Sequence, residues 1–318
     1  MLKKMELNVW IATKKLRLII IFVKIATVNL FLILNLKSDC FNCHSKNISD
    51  SLLNSPHLLL KCNECHINFE KFPHPDTFKS FCESCHPEIV KNFEKSVHFK
   101  KLNCYECHGK HRVISFKIYG GKILIEEKCS SCHEKEGEDY RASIHFEAVR
   151  KGIKDAPTCI DCHFEHKILS PASLESPVSP QKIPETCSKC HENPRITSLY
   201  GVPSRRFSTY KKSFHGIFLY KGEVRAANCV SCHEYHKILP AENPESSINP
   251  KNLKKTCGKC HGERDWKLTG GKIHVEAKKE VSFGVYAVRI FYIIFISFLG
   301  FMFLFHIFLD LRRRKNEG

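Results

Sequence analysis

One five-residue pattern concentrates the chemistry of this chain. All eighteen cysteines fall in Cys-x-x-Cys-His tracts, nine in number: Cys40/Cys43/His44, Cys62/Cys65/His66, Cys82/Cys85/His86, Cys104/Cys107/His108, Cys129/Cys132/His133, Cys159/Cys162/His163, Cys187/Cys190/His191, Cys229/Cys232/His233 and Cys257/Cys260/His261. Two thiols at this separation match the two vinyl groups of a porphyrin, to which they add as thioethers, and the next histidine is placed to ligate iron from the same side. One such tract alone could be half of a zinc site or a redox dithiol. Nine argue otherwise: zinc sites use Cys-x-x-Cys pairs in twos and demand no histidine after every second cysteine, and a disulfide framework demands none either. Nine covalently bound haem c groups use every residue of the pattern.

The chain has nineteen histidines, and ten lie outside the tracts. Nine of these share the segment with the motifs: His57, His74, His98, His111, His145, His166, His215, His236 and His274. Nine irons and nine spare imidazoles imply a second axial histidine for each iron. The only methionines are Met1, Met5 and Met302, so none is available in that segment, and His/Met ligation with its raised potential is excluded there. Low-potential bis-histidine haems are the remaining expectation.

The motifs repeat. Residues 145–191 align with 215–261 without a gap, carrying His145, Cys159, His163, His166 and Cys187 onto His215, Cys229, His233, His236 and Cys257. Each repeat reads spare His, motif, spare His, motif, and shorter versions begin at His98 and His57, so four two-haem repeats leave Cys40 to His44 and His274 at opposite ends. Residues 40–276 give each motif roughly 26 residues, too few for an independent core, so porphyrin faces must supply much of the interior. Short helices are expected over 140–152 and 207–222, each stopped by Lys-Gly. Proline-rich stretches before Cys187 and Cys257 read as extended loops. The aliphatic runs 113–118 and 122–127 around Gly120-Gly121 predict one small β-hairpin.

Two apolar stretches flank this 40–276 haem domain. Residues 18–36 follow a basic stub, 1–17, and show no small-x-small cleavage pattern before Cys40, which favours an uncleaved transmembrane anchor over a signal peptide. Residues 288–309 form a second span, followed by a basic tail, 310–318. Basic residues on the outer sequence ends of both put the termini in the cytoplasm and the haem domain in the periplasm, outside a bacterial inner membrane. The formal charge of +17 suggests no nucleic acid once two propionates per haem are counted against it. His306 lies inside the second span near Asp310, where it is either a snorkelling residue or part of haem b ligation or proton movement.

The paired motifs, with the tracts His166-Lys-Ile-Leu and His236-Lys-Ile-Leu-Pro, resemble membrane-anchored multihaem cytochromes c in the style of the cytochrome c3/c7 and NapC/NirT groups. The resemblance implies a haem-packed, mostly irregular fold with short α-helices, flanked by two transmembrane helices. An anchor running directly into Cys40 is similar to quinol dehydrogenases of the NapC type; nine haems and a C-terminal span depart from them. That span resembles cytochrome c subunits accompanying a membrane cytochrome b, which implies such a partner. Electron carriage between a quinol or cytochrome b module and periplasmic or outer-membrane cytochromes is the leading expectation, without catalytic residues. The rival is a multihaem reductase for nitrite, hydroxylamine or a sulfur oxyanion, which needs one open haem iron. Because Cys40 and His274 both lie near a span, His274 is expected to share the iron of His44.

Overall fold

The computed structural model describes Cys40, His44 and residues 47–66, 82–116, 121–265, 274–276, 278–280 and 282–317. The expected anchor over 18–36, its stub 1–17, Cys43 and His74 lie outside the described residues. Regular structure is helical throughout: α1 Asn47–Leu53, α2 Cys62–Cys65, a 3-10 turn Cys82–Ser84, α3 Pro87–Phe93, α4 Cys104–His108, α5 Gly121–Ser130, α6 Glu134–Arg141, α7 Ile144–Arg150 and α8 Cys159–His163, then α9 Ile183–His191, α10 Pro194–Tyr200, α11 Arg206–Lys211, α12 Phe214–Tyr220, α13 Cys229–His233, α14 Leu253–Asp265 and α15 Phe283–Glu317. The chain divides into two compact units, Met1–Glu138 with Pro157–Ser170, and Asp139–Ala156 with Pro171–Gly318.

Several motifs are themselves a single helical turn, and the sequence shows why. The residue before the first cysteine caps the turn, and the residue before the second cysteine closes a reciprocal capping box: Thr158 N–H donates to Asp161 Oδ2 at 2.6 Å, and Asn228 N–H to Ser231 Oγ at 3.1 Å. Lys61 N–H donates to Glu64 Oε2 and Asn103 N–H to Glu106 Oε2, repeating the half of the box in which the residue before the second cysteine accepts. The backbone after the turn must then swing away, and it does so at positive φ: Gly109 at 81°, Phe164 at 69° and Glu234 at 65°. The last two are side-chain-bearing residues in a region that favours glycine.

The expected helices are each broken once. Ser143 separates α6 from α7 and Ser213 separates α11 from α12, because each serine hydroxyl accepts from a first-turn N–H as an N-cap. The expected stops hold, with Gly152 at φ 72° and Gly222 at φ 99°. The hairpin is not formed. Residues 121–130 are α5, where Lys122, Leu124, Glu126, Glu127 and Lys128 outweigh two isoleucines in helix propensity, and the helix runs directly into Cys129. The proline-rich stretches are tight turns, not extended loops: Ser176, Ser179 and Lys182 each donate to the carbonyl three residues back, as do Asn243, Ser246, Asn249 and Asn252. Buried Ser176, Ser179, Ser246 and Asn249 hold these ladders together.

Apolar burial is sparse. The buried hydrophobic side chains among the described residues are Ile125, Tyr140, Val149, Ala156, Ile183, Tyr210 and Leu219. At the C-terminal end, α15 contains the one described helix long and apolar enough to cross a membrane, over Phe283–Asn316 with mean hydropathy 2.4. It extends through the expected basic tail, where Asp310 pairs with Arg313 and Arg314.

Candidate metal centres

Within each fully described motif the turn puts the two cysteines and the histidine on one face, since positions three and four apart are neighbours on a helix. Even where no longer helix forms, the closing bond is present: His44, His66, His86 and His133 each donate their N–H to the carbonyl of the motif's first cysteine at 2.9 to 3.0 Å. Sulfurs and imidazole are thereby presented together to one flat ligand. No described cysteine is in a disulfide, and this holds for the second cysteines Cys85, which is exposed, and Cys162 and Cys190, which are half-buried. Cys162 stays beside Cys159 of its own motif.

Seven spare histidines face seven motif histidines. Ring centres stand 6.0 Å apart in His57–His86, 5.9 Å in His66–His111, 6.1 Å in His98–His133 and 5.9 Å in His108–His166. They stand 6.2 Å apart in His145–His191, 5.8 Å in His215–His261 and 6.4 Å in His233–His274. Two imidazoles bound to one metal from opposite sides hold their ring centres about 6 Å apart, given metal–nitrogen bonds of about 2 Å. The seven distances match that span. Their interplanar angles run from 16° to 63°, as rotation about a shared axis permits. Among the described residues no group of three or more His, Cys, Asp or Glu side chains is arranged to hold a metal.

Electrostatics favour the ligating form. Burial pushes His57, His66, His98, His111, His191, His215 and His274 below their ordinary value, and takes His145 and His233 down to about 4. A neutral imidazole at pH 7 is the species that binds metal. Two rings are also oriented from behind: His108 Nδ1 lies 2.9 Å from the Ile114 carbonyl, and His274 Nδ1 lies 3.1 Å from Thr209 Oγ1. Such partners fix the tautomer and turn Nε2 toward the metal.

The pairing is interlaced. The first spare histidine of each repeat faces the second motif of the same repeat, as in His57–His86, His98–His133, His145–His191 and His215–His261. The second spare histidine reaches back to the first motif of the preceding repeat, as in His111–His66 and His166–His108. His274 comes after the last repeat and takes that backward role, facing His233 and not His44; the expected His274–His44 pairing is therefore corrected. Backbone bonds run the same way, from Val97 N–H to the Ile168 carbonyl and from Ile144 N–H to the Ile238 carbonyl, both at 2.9 Å. The His-Lys-Ile-Leu tracts thus strap one repeat onto the one before.

A signal in the sequence goes unread until the structure explains it. Each first spare histidine sits in Ser-x-His: Ser55–His57, Ser96–His98, Ser143–His145 and Ser213–His215. The serine is buried at the first three of these positions. Its Oγ accepts a nearby N–H at 3.2 Å in all four, fixing the turn that aims the ring.

Sulfurs of consecutive motifs also meet. The thiols of Cys82 and Cys104, of Cys129 and Cys159, and of Cys187 and Cys229 approach each other closely, each pair linking the second motif of one repeat to the first of the next. Within repeats, Cys107 lies near Cys129 and Cys132, and Cys232 near Cys257 and Cys260. His44 lies beside the His66–His111 pair. The remaining predicted ligands on described residues, His163 and His236, are half-buried, whereas His86, His133 and His261 are exposed.

Residues 122–178, which hold the motifs of Cys129 and Cys159, match the model of the NapC/NirT cytochrome c family, N-terminal region. No curated protein and no solved structure matches the chain. The match covers two of the motifs and is what that stretch is similar to. It supports a membrane-anchored cytochrome c of electron transfer.

Proposed function

We propose that the protein carries electrons along nine covalently attached, bis-histidine haems c, anchored in the inner membrane with its haem domain in the periplasm. The observation that carries this reading is the set of seven motif-to-spare histidine pairs at a single metal-bridging separation. Bound haem supplies one-electron exchange between ferric and ferrous iron. The chain would do the rest: cysteine pairs, those ending at Cys85, Cys162 and Cys190 included, would fix the ring edge, histidines would hold the iron, and the close approach of successive motifs would keep neighbouring ring edges together. His74, outside the described residues, is assigned to the iron of His44 by sequence order alone, as the backward-reaching histidine of the first repeat. Donor and acceptor are read by chemistry: a membrane quinol or cytochrome b on one side, periplasmic or outer-membrane cytochromes on the other.

The reductase reading requires an iron open to substrate. Low-temperature EPR of the oxidised full-length protein separates the two. The carrier reading predicts low-spin ferric signals accounting for all haem; a high-spin signal equivalent to one haem per chain supports the reductase.

A further inference from the structure

His274 differs from the other spare histidines in leading directly into the membrane helix. Lys278, four residues on, accepts through its carbonyl from Ser282 N–H at 2.9 Å, and α15 begins at Phe283. The imidazole is therefore close in sequence to the helix that can cross the membrane, which starts nine residues later. His274 faces His233 at 6.4 Å.

Three contacts hold His274 and Glu276. Thr209 Oγ1 donates to the Arg205 carbonyl at 2.7 Å, so it accepts from His274 Nδ1–H at 3.1 Å and leaves Nε2 for the side that faces His233. Glu276 Oε2 pairs with Arg205 Nε at 3.4 Å and with Lys278 Nζ at 3.0 Å. Arg205 itself has φ 61°, a left-handed backbone for a residue with a side chain, at the N-cap of α11. Strain of that kind persists where surrounding contacts determine it, and here the contacts are to the juxtamembrane segment.

We infer that His274, Glu276 and Lys278 form a clasp that ties the iron on His233, and not the iron of the last motif, to the membrane helix, with Thr209 and Arg205 as its positioning residues. This rests on the bis-histidine reading. The clasp makes the sixth ligand of one haem dependent on the seating of α15, so displacement of the helix opens that iron and no other. Loss of the Thr209 acceptor leaves His274 less basic, a poorer partner for ferric iron, which raises that haem's potential.

The test uses the full-length, haem-loaded protein in detergent micelles, followed by EPR, by carbon monoxide binding after reduction and by potentiometric titration. His274→Gly is expected to turn one haem per chain high-spin and able to bind carbon monoxide. Thr209→Val is expected to leave every haem low-spin and raise one midpoint potential, Thr209→Ser to restore it, and Glu276→Gln to shift the same component by less. In the double variant of Thr209→Val and His274→Gly, the other potentials stay where His274→Gly alone leaves them. The clasp is overturned if His274→Gly keeps all haems low-spin, or if Thr209→Val moves no potential. The second arm decides even where the glycine variant fails to fold, since it removes no ligand. An unaltered protein without low-spin haem overturns the underlying reading instead.

Discussion

His57 and His86 stand 6.0 Å apart with His86 exposed to water, while His145 and His191 stand 6.2 Å apart with both rings half-buried and His145 held at about 4 by burial. Spacing is common to both because both use the same local devices, a motif turn and a Ser-x-His turn. The chain between the second spare histidine and the second motif also differs in length. In the first repeat only residues 75–81 intervene; in the third, residues 167–186 do, and their C-terminal part folds into a ladder of turns around buried Ser176 and Ser179. Ligand geometry and ligand burial are therefore separately encoded.

The largest effect that sharpens this contrast comes from removing one ligand in each setting. His57→Gly and His145→Gly each open one iron, and added imidazole is expected to restore the low-spin signal readily opposite exposed His86 and poorly opposite half-buried His191. Equal rescue in EPR titrations removes the distinction. Next in size are the ladder anchors. Thr186 Oγ1 donates to the Pro177 carbonyl at 2.7 Å, and Thr256 Oγ1 to the Ser247 carbonyl at 2.6 Å. Thr→Val at either position leaves a part-buried carbonyl without its partner and should destabilise by about 1–2 kcal/mol in denaturant unfolding, similarly in the two copies.

Acid acts through the buried rings. His145 and His233 sit at about 4 when folded against 6.5 ordinarily, so between those values the unfolded chain binds more protons. Their contribution to stability is therefore lost as pH falls from about 6.5 to about 4. Denaturant unfolding between pH 7 and pH 4 should show that loss, and His145→Gly should reduce it. The smallest effect has the opposite sign. Glu234 holds φ 65° and ψ 172°, a region suited to glycine, and Glu234→Gly should raise stability by up to about 1 kcal/mol in thermal unfolding.

Much of the site is legible in the residue string, since the motifs identify attachment and the spare histidines match them in number. Their partnership is not. An imidazole pairs across repeats because the His-Lys-Ile-Leu strap crosses to the preceding Ser-x-His turn, a long-range contact that sequence order does not display. Proximity to a membrane span suggests His44 for His274, yet Thr209 and Arg205 hold it at His233. Isoleucines at 123 and 125 suggest a strand, but the surrounding lysines and glutamates and the need to enter Cys129 as a helix prevail. Ser143 and Ser213 carry a readable N-cap signal that splits each expected helix. The final helix is legible because about twenty apolar residues leave little choice.

A haem-loaded structure of the full-length protein tests the central claim most directly. The account predicts an iron midway between each of the seven paired imidazoles, including His233 with His274. Irons whose sixth position holds water, or a histidine other than the one facing it here, would contradict it.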